Sequence, residues 1–173
     1  MEYTADEYSR WYIVQALFKL MHETEYEKIT VTDIAHKAGV GRATFYRYFK
    51  RKEDIIIEYF QRTTKEFIFS QRYYPRCRED YVRLVSDILN LFKKQEGPLR
   101  LIRKARLEYL YLDFLNQNFV KTFQQDHPQE NRYAPYLYAG MLFNLSMAWL
   151  DGGFIEPADE LAEVIVKAIY TLP

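Results

Sequence analysis

Apolar residues return every three or four positions along almost the whole chain, the period at which a helix buries one face. Ile13, Ala16, Leu17, Leu20 and Met21 form the first such stripe. Glu53 to about Tyr73 carries Ile56, Phe60, Thr63 and Phe67 on one side. Glu79 to Gln95 carries Tyr81, Leu84, Val85, Ile88, Leu91 and Phe92. No segment stands out for apolar–polar alternation, so the spacing predicts an all-α protein of about nine helices.

Proline and glycine divide these stretches. Pro75, in "YYPRC", disfavours helix at Tyr74. "EGP" at 96–98 stops the next helix, and Pro98 suits the opening of another. Leu99 to Gln125 is apolar and aromatic, as two helices or one bent one, and "DHPQENRYAP" is a polar loop. Tyr136 to Leu150, "YLYAGMLFNLSMAWL", is apolar on every side. Such a helix needs cover all round, and it falls short of the ~20 residues that span a membrane. The last helix starts at "EPADE", with Pro157 and acids in its first turn, and carries Leu161, Val164, Ile165, Ala168, Ile169 and Leu172. Spare apolar surface on two consecutive helices suggests a dimer interface through Leu142, Leu145, Trp149, Leu161, Ile165 and Ile169. The alternative is an intrachain core.

At 173 residues, with 49% hydrophobic, the chain suits one or two small domains with a real core. Cys77 is the only cysteine, which excludes a disulfide framework and a cysteine-based zinc site. His22, His36 and His127 stand far apart, so neither a metal site nor a cofactor is expected. The N-terminus, "MEYTADEYSR", is acidic and lacks a signal-peptide core. The expectation is a soluble, cytoplasmic protein without a membrane segment.

Formal net charge is zero, but its distribution is uneven. From Ile34 to Lys52 there is no acid, while Lys37, Arg42, Arg47, Lys50, Arg51 and Lys52 are basic. A field is felt over about 10 Å at moderate salt, so this block can attract phosphate although the whole chain is neutral. A solvated helix face is the plainer reading of a charge run by itself.

The block overlaps "TVTDIAHKAGVGRATFYRYF", Thr30 to Phe49, and continues to Lys52. Gly39 and Gly41 begin a dinucleotide-type fingerprint, but they follow a helical pattern and Thr44 takes the third glycine position. Punctuation explains them better. Thr30 can cap a helix with Asp33 completing the box, and Gly39 falls where a left-handed residue ends it. A second short helix starts near Arg42, with Phe45 and Phe49 turned to the core. Helix, tight glycine turn, helix is a helix-turn-helix. Arg42, Ala43, Thr44, Tyr46, Arg47 and Tyr48 then face outward. Arginine can read guanine, methyl groups can touch thymine, and hydroxyls can hold phosphates. Lys52 offers a charge and a helix start to another phosphate.

Here the chain resembles the TetR family of bacterial transcriptional regulators. The resemblance rests on Thr30, Val31, Ile34, Ala35, Ala38, Gly39, Val40, Thr44, Tyr46, Tyr48, Phe49 and Lys52, followed by Glu53, Asp54 and Ile55. It runs from roughly Ile13 to Phe60, about a quarter to a third of the chain. It implies an all-helical homodimer, with a DNA-binding domain at 1–52 and a helical dimerisation and effector domain at 53–173. By position it implies base contacts from Arg42, Ala43, Thr44 and Arg47, and backbone contacts from Thr30, Thr32, Tyr46, Tyr48 and Lys52. Packing is an equal reading for one of the two tyrosines, and a solvated side chain for Arg47. Gly41 departs from the family, which has a serine or threonine cap there. The helix should survive, since glycine costs only a few tenths of a kcal/mol as a cap.

Past Tyr73 the family's motifs fade, although "WLDGGF" at 149–154 is similar to a helix end in short Gram-positive TetR-like proteins. This half is rich in aromatic residues, which line pockets and also fill ordinary cores. Arg103, Tyr109, Phe114, Tyr138 and Phe143 are the effector-binding candidates. The function implied is a sequence-specific DNA-binding regulator: a repressor on a near-palindromic operator, released by a small effector. The alternative is a TetR-like adaptor or co-activator that acts through protein partners and binds DNA weakly. An enzyme is not expected. The chain has no G-x-S-x-G, no P-loop, no histidine pair at metal spacing and no candidate thiol–base pair near Cys77 in sequence.

Overall fold

The computed structural model describes residues 4–70, 76–126 and 131–171. Among them are nine α-helices, one short 3-10 turn and no strand. The helices are α1 (Ala5–Glu23), α2 (Val31–Ala38), α3 (Arg42–Tyr48), α4 (Lys52–Ser70), α5 (Arg78–Lys94), α6 (Glu96–Lys104), α7 (Tyr109–Asp126), α8 (Ala134–Asp151) and α9 (Ala158–Thr171). Tyr26–Lys28 forms the 3-10 turn. No helix of the described residues is long and apolar enough to cross a membrane. The chain forms two compact units: Met1–Thr63 with Pro98–Leu110, and Thr64–Gly97 with Tyr111–Pro173.

In the first unit, Ile13, Val14 and Leu17 of α1, Ile34 of α2, Phe45 of α3, and Ile55 and Ile56 of α4 are fully buried. Each α1 residue lies on the stripe its spacing predicts or directly beside it. Thr4 caps α1 in a reciprocal box with Glu7. Arg10 reaches Glu58 of α4 at 2.5 Å. Trp11 stacks near Tyr59 at 6.5 Å, and Arg62 lies over the Trp11 ring at 4.7 Å while donating to the Glu7 carbonyl. These polar and aromatic links fasten α1 along α4. On α4, Ile56 and Phe60 are buried and Thr63 is half-buried as expected, while the Phe67 side chain and Tyr73 to Pro75 lie outside the described residues.

The stretch from Leu99 resolves into two helices. The break falls at residues 105–108, where Arg106 takes a left-handed φ of 57°. Helix α6 starts at Glu96, earlier than Pro98, so the proline sits inside its first turn, where no intrahelical N–H bond is lost.

In the second unit α5 packs chiefly against α9. Leu89 is fully buried and Phe92 is buried as expected, whereas Tyr81, Leu84, Val85, Ile88 and Leu91 are half-buried. On α9 the buried seam is Ala158, Ala162, Ile165 and Val166, while Val164 stays 58% exposed. Both seams are rotated slightly from the expected stripes. Runs such as Val164-Ile165-Val166 fit more than one helical register, and the facing helix selects one. Leu172 lies outside the described residues. Helix α8 ends in a turn where Gly153 and Phe154 have positive φ. There Trp149 meets Phe154 edge-on at 4.7 Å and donates its indole N–H to the Glu156 carbonyl.

Candidate nucleic-acid interface

Helix α2 begins with a complete capping box. The Asp33 N–H donates to Thr30 Oγ1, and the Thr30 N–H donates back to Asp33 Oδ2. The Thr30 hydroxyl also donates to Asp33 at 2.6 Å. These bonds hold the Asp33 carboxyl below its usual pKa. Gly39 ends the helix in the left-handed region, φ 70°, as the sequence predicts. Gly41 occupies the cap position of α3 with extended backbone and no side-chain bond.

Phe45 and Phe49 anchor α3 from below, 0% and 2% exposed. That fixes which residues face out. Arg42, Ala43, Tyr46 and Arg47 are exposed, and Thr44 and Tyr48 are half-buried. Thr30 and Thr32 of the preceding helix are exposed as well. One surface therefore carries two guanidinium groups, phenols, hydroxyls and a methyl, the set that hydrogen-bonds base edges and phosphates.

Two neighbouring cations are spoken for within the protein. Lys52 heads α4, but its ammonium donates to the carbonyls of Tyr26 (2.8 Å) and Ile29 (2.7 Å). It also lies 4.2 Å over the Tyr26 ring, whose hydroxyl donates to Glu53. Burial, then that bond to Glu53, pushes the Tyr26 pKa up. Arg51 pairs with Asp54, whose carboxylate also accepts from the Lys50 and Arg51 backbone N–H groups. Asp6 of α1 accepts from Tyr48. Asp6 borders this surface and Tyr26 lies buried beneath it, yet no local pattern in the sequence marks either.

The remaining candidates divide between the two units. In the first, Arg103 pairs with Glu108 and Tyr109 is exposed. In the second, Phe114 is buried, and Tyr138 and Phe143 are half-buried. Phe143 stands 6.1 Å from Tyr111, whose pKa burial raises. Leu142, Trp149 and Ile165 are buried within the chain itself, while Leu145, Leu161 and Ile169 keep part of their surface exposed. A hollow of about 320 Å³ opens beside α2, lined by Leu20, Thr24, Ile29, Asp33, His36 and Lys37, and by none of the effector candidates. Among the described residues no group of three or more His, Cys, Asp or Glu is placed to hold a metal ion.

Comparison with known proteins agrees with this geometry. Residues 13–59 match the family model for bacterial regulatory proteins, tetR family. The HTH-type transcriptional regulator YxbF of Bacillus subtilis is 27% identical over 86% of this chain and 40% of its own length. The fatty acid metabolism regulator protein of the same organism is 41% identical over 32% of this chain and 29% of its own. The chain thus spans less than half the length of either relative. The crystal structure of Lin0861 from Listeria innocua shares the fold, with a TM-score of 0.82 at 21% identity over 100% of this chain and 96% of that one. From Ile13 to Tyr59, then, this chain carries a helix-turn-helix segment that matches the tetR family of bacterial regulatory proteins.

Proposed function

We propose that the protein is a sequence-specific DNA-binding transcriptional regulator that represses by occupying a promoter. The observation that carries the reading is α3: a short helix held behind a left-handed glycine, anchored by Phe45 and Phe49, with Arg42, Ala43, Tyr46 and Arg47 turned to solvent. Arg42 and Ala43, with Thr44 behind them, meet base edges in the major groove. Thr30, Thr32, Tyr46, Tyr48 and the Lys52 backbone meet phosphates. The DNA-binding domain is 1–52, and 53–173 dimerises.

Two copies grip a near-palindromic operator whose half-sites lie about one helical turn apart. The apolar surface that α8 and α9 keep, including Leu137 at 64% and Val164 at 58% exposure, supports pairing of these helices across a two-fold axis. A small effector taken up near Phe114, Tyr138 and Phe143 shifts the dimer toward a geometry that releases DNA.

Selection of bound sites from random duplex DNA, followed by titration of the winner at two salt concentrations, tests the reading. A palindromic consensus with steeply salt-dependent binding is expected. A folded, dimeric protein that enriches no sequence would sink it and favour an adaptor that works through protein partners.

A further inference from the structure

The outward face of α3 already holds an anion, supplied by the protein. The Tyr48 hydroxyl donates to Asp6 Oδ1 at 2.6 Å. Arg47 Nη2 donates to the Tyr48 hydroxyl at 2.5 Å and stands 3.6 Å from the same carboxylate oxygen. The Arg47 guanidinium also lies 4.7 Å over the Tyr48 ring. Two residues assigned above to DNA are thus gathered around one carboxylate from α1.

Asp6 has no need to be there for the sake of α1. The capping box of that helix is closed by Glu7 with Thr4. Asp6 is free of that duty, and its side chain projects from the first turn toward α3. The cluster is also open to solvent, with the Asp6 and Arg47 side chains 73% and 60% exposed. An incoming ligand can reach it.

A carboxylate oxygen and a phosphate oxygen are equivalent acceptors for a phenol and a guanidinium. We propose that Asp6 stands in for a DNA phosphate in the free protein and must be displaced when DNA binds, so that it acts as a brake on affinity. The proposal rests on the DNA-binding reading and adds a residue outside the helix-turn-helix to it. Its logic is competitive. Here Arg47, like Tyr48, meets the DNA backbone in place of the base edge that the family resemblance implies for it; both exchange one anion for another, so their net gain from DNA is small. Phosphate contacts carry no sequence information. The brake therefore acts on every duplex alike and lowers affinity without changing preference.

The test is a fluorescence-anisotropy titration of the full chain and of its Asp6→Asn and Asp6→Ala variants. The probes are the selected operator duplex and a scrambled duplex of equal length and composition. Helix content and thermal midpoint are checked to match wild type. Both variants should bind both duplexes about three- to tenfold more tightly at low salt, by a common factor, with a salt slope steeper by about one. In an Arg47→Ala, Tyr48→Phe background the gain should vanish. Affinities within twofold of wild type on both probes would overturn the proposal, as would a gain that survives in that background. Failure of wild type and variants alike to bind any duplex would bring down the DNA-binding reading itself, and this proposal with it.

Discussion

Lys52 sits 4.2 Å over the ring of Tyr26 and donates from Nζ to that residue's own carbonyl at 2.8 Å. The second bond, to the Ile29 carbonyl at 2.7 Å, makes this ammonium a bracket that ties the start of α4 to the turn before α2. A lysine at this position therefore serves the frame on which α3 is mounted. Lys52→Met keeps the apolar stem and removes the charge. It should lower unfolding free energy by about 1–2 kcal/mol, discounted for a half-buried group, when measured by denaturant titration. The salt slope of DNA binding should stay nearly unchanged. A slope reduced by about one, with stability intact, would instead make Lys52 a phosphate ligand.

Arg42 has the opposite profile. It is exposed at the first residue of α3 and has no part in the internal bracket. Arg42→Ala should leave the thermal midpoint alone and weaken operator binding by ~1–3 kcal/mol, relaxing preference at one base position. The check is a binding titration against the operator and its single-base variants. Uniform weakening across all of them would move Arg42 from base reading to phosphate contact.

The contrast between these two residues shows where sequence reasoning reaches and where it stops. The helix-turn-helix is built from local devices: a capping pair three residues apart, a left-handed glycine, two phenylalanines at i, i+4. Each has a one-dimensional signature, so the outward face of α3 could be read directly. The Lys52 acceptors lie 26 and 23 residues away in sequence, and Asp6 lies 42 residues from Tyr48. Nothing periodic connects such pairs, so a charge that looked available proved to be engaged. The apolar stripes of α5 and α9 came out in part, with Phe92 and Ile165 buried as the spacing predicts. Adjacent apolar residues at Ile88-Leu89 and Ile165-Val166 allow several buried seams, and the choice among them belongs to the partner helix.

The two turn glycines should respond oppositely to substitution. Gly39 has φ 70° with open space around it, so Gly39→Ala introduces backbone strain and no clash. It should cost about 1–2 kcal/mol. At Gly41 the backbone is extended and a Cβ would also meet open space. Gly41→Ser should cap α3 and stabilise by about 0.5–1 kcal/mol, partly by restricting the unfolded chain. Denaturant unfolding of the two variants side by side measures both. Equal effects of the same sign would contradict the roles assigned to these glycines.

High pH should expose the buried phenols. Burial raises the pKa of Tyr26, Tyr59 and Tyr111 in the folded chain, with the Glu53 bond adding to the effect at Tyr26. A phenol whose folded pKa is raised is held neutral by the fold. Its contribution is fully present below the unfolded value of about 10. Above that, the unfolded chain loses the proton first, and stability falls by about 1.4 kcal/mol per pH unit for each such tyrosine. Denaturant unfolding between pH 8 and 12 should therefore give a plateau followed by a steep decline. Tyr26→Phe keeps the ring under Lys52 and removes the titrating group. It should cost about 0.5–1.5 kcal/mol near neutrality through the lost bond to Glu53, and then decline less steeply above pH 10. A wild-type profile that stays flat to pH 11.5, or a variant profile parallel to it, would show that these hydroxyls are solvated in the folded protein.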